Sequence, residues 1–439
     1  MRIPCRDSVV YRYFMLAHRL TLIIPLAVSA ACAHARTGAG TGGAVGEART
    51  GTPDESCLLS TGAVSGRSRT ITIGLVDSVD PRHAPVPRND AERLVFRHLY
   101  ETPVRIDCEG HVLPELADQW TKDDGGGGRR WTFRLRNGAQ FWDGAPVTAQ
   151  DVVFGRGGLG YTFSALDARD VIVSLAKANN DLPPVLGDRS LAVTKPAPDS
   201  SWPIGTGAYW ATSVTTTAQE IRAHTTRGDT LVFKFAASGD ARDLLDAGID
   251  LLVTRDRALR DYAATLQNHS VVALPWDRTY VLVTAEPGGS GVSGYEGLEQ
   301  AVRAEARRAE GDSWWLDVRG CGIARDSAPP AAAGRRRVLY SRADPTARDL
   351  AGRLAALTHT VAAGRAADDF RDALAGGKDW GYVIALPRVT ADVCRSAKDL
   401  LPSWPATFTA LVDTRPTAIV RRGVARWTVD QDGTVHLAP

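Results

Sequence analysis

The chain has 439 residues, with 52 basic and 50 acidic side chains and a formal net charge of +2. Its composition, 44% hydrophobic and 23% charged, can supply a sizeable core, which excludes wholesale disorder. The length fits two or three domains or one two-lobed protein. The balanced charge gives no general case for nucleic-acid binding.

The first segment predicts export. Residues 20–30 form one apolar run after Arg12 and Arg19, about the length of a signal-peptide core and too short to span a bilayer as a helix. Small residues and Cys32 follow. This order resembles the bacterial lipoprotein signal, which implies removal of residues 1–31 and an acylated Cys32 that anchors the protein to a membrane.

Two points about this segment stay open. An ordinary cleavage after Ala33 or Ala35 is the alternative to acylation, and Met15 offers a second possible start. Without residues 1–31, which hold four Arg and one Asp, the chain carries 48 basic and 49 acidic side chains. The exported protein is therefore nearly neutral.

The cysteines that remain are even in number, which suits an oxidising compartment. Candidates for disulfides are Cys57, Cys108, Cys321 and Cys394. Pairs 57–108 and 321–394 would each tie parts of one lobe, but three pairings are possible and buried free thiols are the alternative. No C-x-x-C or Cys/His cluster occurs, so no metal site is predicted.

The first half of the chain begins with a tether and then alternates strands and helices. Residues 32–66 are rich in Gly, Ala, Thr and Ser and predict a flexible tether. A strand is predicted at 69–77 and a helix capped by Asn89 after a Pro-rich loop. The strand 131–136 is expected to pair with the segment before it. Thr148 and Asp151 resemble a capping box.

From residue 230 the pattern predicts an α/β architecture, because strands and helices follow one another in turn. Asp344-Pro345 predicts a helix with an N-cap and a proline in its first position. A further helix ends at glycine before a strand that starts near Trp380. The last residues predict a hairpin.

One long ordered motif points to a family. It lies within 92–154 and comprises Gly138, Phe141, Asp143, Gly144, Pro146, Val147, Thr148, Ala149, Asp151, Val152 and Val153. With the turn PIGTGAYW at 203–210, it resembles the extracellular solute-binding proteins of family 5, the oligopeptide, dipeptide and nickel-binding components of ABC importers. The motif residues are mostly structural, since Asp143-Gly144 suits a tight turn and Thr148 a helix cap.

The resemblance implies an α/β, two-lobed, periplasmic-binding-protein-like fold with mixed sheets and a hinge between the lobes. The expected parts are a signal peptide (1–31), a tether (32–66), lobe I with the motif (67–287), a shortened lobe II (288–384) and a return to lobe I (385–439).

The resemblance also implies capture of a peptide-like or other small solute in a cleft between the lobes. Candidate ligand contacts are Arg82 and His83, on the loop after the first strand, with Tyr280 and Trp380. Each has a plainer interpretation, as a solvated charge or a core aromatic residue. The implied partners are a small-molecule or peptide ligand and an inner-membrane ABC permease. A monomer is expected, located in the periplasm or at the cell surface, without a cofactor.

Two other functions fit parts of the sequence less well. A shortened second lobe would also fit an envelope lipoprotein with a degenerate cleft and no role in transport. An exported hydrolase is disfavoured, since no G-x-S-x-G or H-E-x-x-H motif occurs. The G-x-G-x-x-G matches at 38–43 and 155–160 lack the strand before and helix after that a dinucleotide site needs.

Overall fold

The computed structural model describes 55–59, 70–123, 129–153, 161–175, 182–198, 202–211, 220–236, 239–284, 314–315, 337–358, 360–387 and 407–438. All of these lie in one unit, residues 44–439. The helices are α1 (Asp90–Leu99), α2 (Ala149–Val153), α3 (Leu182–Val185), α4 (Arg242–Asp246), α5 (Arg257–Ala263), α6 (Pro345–Thr358) and α7 (Ala367–Gly376). Short 3-10 turns lie at Glu55–Cys57, Pro81–His83 and Arg189–Leu191. Within these ranges no helix has the length and apolar character needed to cross a membrane.

The strands follow in chain order. Those before residue 225 are β1 (Leu58–Leu59), β2 (Thr70–Leu75), β3 (Val104–Ile106), β4 (Val112–Pro114), β5 (Ala117–Lys122), β6 (Arg130–Leu135), β7 (Tyr161–Ala165), β8 (Asp170–Leu175), β9 (Thr194–Lys195), β10 (Ile204–Gly205), β11 (Trp210–Ala211) and β12 (Glu220–His224). Those after it are β13 (Thr230–Phe235), β14 (Leu251–Thr254), β15 (His269–Ala273), β16 (Arg278–Thr284), β17 (Trp314–Trp315), β18 (Arg337–Ser341), β19 (Val361–Arg365), β20 (Gly381–Pro387), β21 (Thr407–Thr414), β22 (Thr417–Arg421), β23 (Trp427–Val429) and β24 (Val435–Leu437).

A seven-stranded mixed sheet forms the first lobe, in the order β11-β12-β13-β2-β14-β22-β15. The three central strands, β13, β2 and β14, run parallel. Helix α1 packs Leu94, Val95 and Leu99 against one face, while α4 and α5 pack on the other. The predicted cap is confirmed, because the Asn89 side chain accepts a hydrogen bond from Glu92 N at 2.8 Å.

A six-stranded sheet, β17-β21-β16-β20-β18-β19, forms the second lobe. Helix α6 packs Leu350 and Leu354 against one face, and Phe370 of α7 packs on the other. The lobe's strands run from Arg278 to Thr414, whereas the sequence predicts 288–384. The difference arises because β16 pairs along its length with both β20 and β21, so the lobe includes strands from both flanking regions.

The motif of the sequence lies in and beside a four-stranded antiparallel sheet, β5-β6-β8-β7. Phe141, Val147 and Val152 are buried in its core. Asp151 Oδ2 lies 2.7 Å from both the backbone nitrogen and the hydroxyl of Thr148, which opens α2. The motif thus forms turns, a cap and a core.

A disulfide joins Cys57 to Cys108, with an S–S distance of 2.11 Å. It lies where β1 joins the C-terminal hairpin, since β23 pairs with both β1 and β24. The other candidates, Cys321 and Cys394, lie outside the described residues, as does Cys32.

The glycines of the 203–210 turn allow it to pack on the end of α1. Gly207 N donates to Leu99 O at 3.0 Å, and Thr206 Oγ1 accepts from Glu101 N at 3.2 Å. A Cβ on Gly207 would lie 2.6 Å from His98 O. The turn therefore satisfies carbonyl groups that the helix end leaves free.

We expect Gly207→Ala to lower the free energy of unfolding by about 1–3 kcal/mol, the usual cost of overpacking. The control is Gly352→Ala in α6, where a Cβ would meet nothing within 4 Å. That change should raise stability by about 0.5–1 kcal/mol, because alanine loses less conformational entropy than glycine in a helix. Urea unfolding followed by circular dichroism measures both. Equal effects would contradict the tight contact at Gly207.

Candidate functional site: a cleft between two sheets

Two crossing segments that lie side by side connect the lobes. One, 274–277, links β15 to β16, and the other, 415–416, links β21 to β22. Leu274 N donates to Pro416 O at 3.0 Å, and the Arg415 guanidinium lies 4.5 Å from the centre of the Trp276 ring. Short paired crossings of this kind can act as a hinge between two rigid lobes.

A cleft of about 1630 Å³ opens beside these crossings. On the first lobe it is lined by Leu75, Phe235 and Thr254, the last residues of the parallel strands β2, β13 and β14. On the second lobe Ser341, at the end of β18, and Pro345, at the start of α6, face it. Ligands of open α/β sheets bind at the carboxyl ends of strands, and the volume exceeds that of a typical small-molecule pocket.

A cluster of four charged side chains, the Arg255 cluster, lies where the cleft meets the hinge. It comprises Asp90, Arg255, Asp277 and Arg278. Arg255 Nε lies 2.9 Å from Asp90 Oδ2, and its Nη1 lies 3.0 Å from Asp277 Oδ1. Its Nη2 also bonds Asp277, and Arg278 bonds Asp90. The cluster therefore ties α1 and the loop after β14 to one crossing segment.

The charges in the Arg255 cluster sustain one another. Burial alone would raise the pKa of Asp90, but Arg255, Arg278 and Arg93 hold that pKa well below its usual range. Burial alone would lower the pKa of Arg255, while Asp90 and Asp277 raise it well above its usual value. Both partners thus stay ionised although they are buried.

A second cluster, centred on Asp430, borders the cleft at the C-terminal hairpin. Asp430 Oδ2 lies 2.7 Å from Arg97 Nε and 2.6 Å from Arg189 Nη2, and its Oδ1 lies 3.1 Å from His436 Nε2. Burial would raise the pKa of Asp430, but Arg97 and His436 hold it well below its usual range. This cluster fixes the hairpin to α1 and to the turn at 189–191.

The predicted contacts Arg82 and His83 lie outside the cleft lining. The Arg82 side chain is 85% exposed and pairs with Asp80. His83 Nδ1 lies 2.7 Å from Glu92 Oε1. Both help to shape the loop after β2, and their role as ligand contacts stays a prediction.

Tyr280 and Trp380 are buried in the core between the second sheet and α6. The Tyr280 hydroxyl donates to Asp344, with distances of 3.0 and 2.9 Å to its two carboxylate oxygens. Asp344 lines the cleft, whereas neither aromatic residue does. Their direct contact with a ligand therefore stays a prediction too.

The sequence analysis did not identify the charged residues of the cleft as functional, and it named Asp344 only as a helix cap. That cap is confirmed, since Ala347 N donates to Asp344 Oδ1 at 2.9 Å. Arg255 follows a strand like any loop arginine, and its partners lie far away along the chain. Among the described residues no group of three or more His, Cys, Asp or Glu could hold a metal ion.

Residues 111–224 match the model of bacterial extracellular solute-binding proteins, family 5 Middle. A segment is 42% identical over 78 residues to the probable deoxycholate-binding periplasmic protein YgiS of Escherichia coli (strain K12), covering 18% of this chain and 14% of that protein. Another is 45% identical over 60 residues to the periplasmic murein peptide-binding protein MppA of the same organism, covering 14% and 11%. The chain thus aligns in sequence with less than a sixth of either relative.

The fold is similar over a much larger region. The dipeptide binding protein from Pseudoalteromonas sp. SM9913, solved in complex with Met-Leu, superposes with a TM-score of 0.66 and 13% identity. The superposition covers 84% of this chain and 99% of that one. This likeness concerns the fold, and the two-lobed α/β architecture predicted from the sequence is confirmed.

We expect Arg255→Met to lower the free energy of unfolding by about 3–5 kcal/mol at neutral pH, the usual cost of removing one partner of a buried ion pair. Asp277 loses its closest guanidinium, and Asp90 keeps only Arg278 and Arg93. The pKa of Asp90 is lowered in the folded protein, so its contribution to stability is present above the unfolded pKa and is lost as pH falls through the folded one. The difference in free energy of unfolding between wild type and variant should therefore become smaller below about pH 4.

The control is Arg257→Met, which removes a guanidinium whose side chain is 53% exposed and lies 3.6 Å from Asp261. An exposed pair contributes about 0–1 kcal/mol. Urea unfolding at pH 7 and pH 3 compares the two variants. A loss in Arg255→Met no greater than in Arg257→Met would contradict a central role for the Arg255 cluster.

Proposed function

We propose that this chain, a family 5 solute-binding protein, captures a peptide-like or other small solute in the cleft and presents it to an ABC importer. The observation that carries the proposal is the open cleft of about 1630 Å³ between two sheets that short paired crossings connect. The match of residues 111–224 to the family model supports it.

The mechanism is reversible closure without covalent chemistry. Each lobe has its own core, so the lobes can move as rigid bodies while the crossings at 274–277 and 415–416 bend. A ligand favours the closed state only through contacts that it makes better there than in the open state. Contacts to the strand ends of β2 and β14 on one wall and to the start of α6 on the other would meet this condition.

The named ligands of similar proteins set the range to test. They comprise a bile acid for YgiS, a murein peptide for MppA and Met-Leu for the dipeptide binding protein. The alternative of a degenerate cleft in an envelope lipoprotein that does not transport is less favoured, because the cleft between the described residues is open rather than filled by side chains.

Thermal unfolding of the purified protein with Met-Leu, other di- and tripeptides, murein tripeptide and deoxycholate tests the proposal. A ligand that binds only the folded state stabilises it by about 2.7 kcal/mol at a hundred times its Kd. We expect at least one compound to raise the melting temperature in a concentration-dependent way.

Ser78→Trp places a bulky ring on an exposed residue of the cleft lining and should abolish the shift. Ser164→Trp, at an exposed residue of β7 that does not line the cleft, should preserve it. If no compound in the panel shifts the melting temperature, the proposal of solute capture is wrong.

We also place the protein at the cell envelope, held by an acylated Cys32 after removal of residues 1–31, and acting as a monomer. The support is the apolar run at 20–30 followed by small residues and cysteine. The partner would be an inner-membrane permease, which needs the binding protein close by.

Metabolic labelling with a palmitate analogue in bacteria that express the full chain tests the anchor. We expect Cys32→Ser to lose the label and to release the protein from the membrane fraction. Cys5→Ser, upstream within residues 1–31, should keep both. Label on the Cys32→Ser variant would contradict the assignment.

A further inference from the structure

Several carboxylates that line the cleft pair with an arginine, whereas Asp77, Asp344 and the two cap residues Asp188 and Asp256 do not, among the described residues. Asp277 pairs with Arg255, Asp430 with Arg189 and Asp240 with Arg242. Asp77 is half-buried and lines the cleft just after β2. Among the residues that the structure describes, no donor lies within hydrogen-bonding distance of its carboxylate.

The loop that carries Asp77 is held in place by α1. Asn89 Nδ2 donates to Ser78 O at 2.9 Å. Glu92, which is buried, accepts from Asp80 N at 3.1 Å and from Arg88 N at 2.7 Å. These contacts hold the backbone that follows Asp77, so the loop does not need to become ordered when a ligand binds.

Asp344 faces the same cleft from the second lobe. It accepts hydrogen bonds from the Tyr280 hydroxyl and from Ala347 N, and both donors are neutral. Burial raises the pKa of Tyr280, so its hydroxyl remains a donor. Within the described part of the chain no cationic side chain pairs with Asp344, so its negative charge is oriented but not neutralised.

The two carboxylates act on each other across the cavity. Burial raises the pKa of Asp77, the neighbouring charges of Asp90, Asp344 and Glu92 raise it further, and Arg278 opposes them. Three carboxylates and one guanidinium thus act on Asp77. Because Asp77 and Asp344 belong to different lobes, their repulsion grows as the cleft closes, and a positive charge between them would reverse it.

We infer that the cleft selects a ligand with a cationic group, a primary ammonium or a guanidinium, which Asp77 and Asp344 hold between the two lobes. The inference rests on the proposed function and specifies its substrate class. The cation would give the ligand contacts with both walls, so the charge that is recognised also favours closure.

Isothermal titration calorimetry with two matched probe pairs tests this. Ala-Ala-Ala and N-acetyl-Ala-Ala-Ala differ by one ammonium group. Nα-acetyl-argininamide and Nα-acetyl-citrullinamide differ by a guanidinium replaced with a neutral urea. In the wild type we expect the member that carries the ammonium or guanidinium group to bind ten times more tightly or better in at least one pair, and the pair that responds identifies the cation.

Asp77→Asn and Asp344→Asn should each reduce that preference to threefold or less. Asparagine keeps the shape of both side chains and is itself a good N-cap, so α6 retains its start in the second variant, which a thermal melt verifies. The control, Asp261→Asn, removes an exposed carboxylate that pairs with Arg257 and Arg260 outside the cleft lining and should leave both affinities within twofold.

Failure of the inference is separable from failure of the proposed function. Probes that lack the ammonium or guanidinium and still bind as tightly as their partners, or full discrimination in Asp77→Asn, would overturn the inference and leave solute capture standing. Binding of the bile acid while no cationic probe binds would do the same. Absence of binding by every probe and every compound of the solute panel would overturn both.

Discussion

The guanidinium of Arg255, buried between Asp90 and Asp277, is the constraint on which the arrangement of the lobes depends. Its two partners belong to the first turn of α1 and to the crossing segment before β16. A buried guanidinium needs several acceptors in fixed positions, so these elements must meet at one place. The crossing at 274–277 is thereby held to the first lobe through Asp277, and Arg278, the first residue of β16, also bonds Asp90.

The carboxylates of the cleft fall into two groups, those that pair with an arginine and those that do not. Asp277 pairs with Arg255, and Asp430 pairs with Arg189. These carboxylates are therefore neutralised without a ligand. Asp344 accepts from neutral donors instead, and the loop that carries Asp77 is held through Ser78. The cleft thus separates structural charges from charges that remain available for recognition.

Local elements were readable from the sequence because their signals are local. The cap Asn89, the pair Asp344-Pro345 and the glycine after α7 each mark a helix end by themselves. The strand at 131–136 and its pairing with the preceding segment were likewise predicted, and the structure shows β6 paired with β5. The strands β21 and β22 were not predicted from the sequence. The extent of the second lobe depends on β16 pairing with β21, more than a hundred residues away.

The site was less predictable for the same physical reason. Asp90, Arg255 and Asp277 are scattered over nearly 190 positions, and only the tertiary fold brings them together. Tyr280 illustrates the limit: the sequence offers it as a candidate ligand contact, and only the structure shows that its ring is buried while its hydroxyl donates to Asp344, which lines the cleft. Which side of a strand faces a cavity depends on the register with its neighbours, and that register cannot be read from the pattern of one strand alone.

The parallel strands of both lobes end at the cleft, so its walls are built from loops and helix starts rather than from sheet interiors. The side chains that contact a ligand can therefore change during evolution while the hydrophobic layers behind them stay intact. In a scaffold of this kind, a few substitutions at the strand ends can change the ligand specificity with little loss of folding stability.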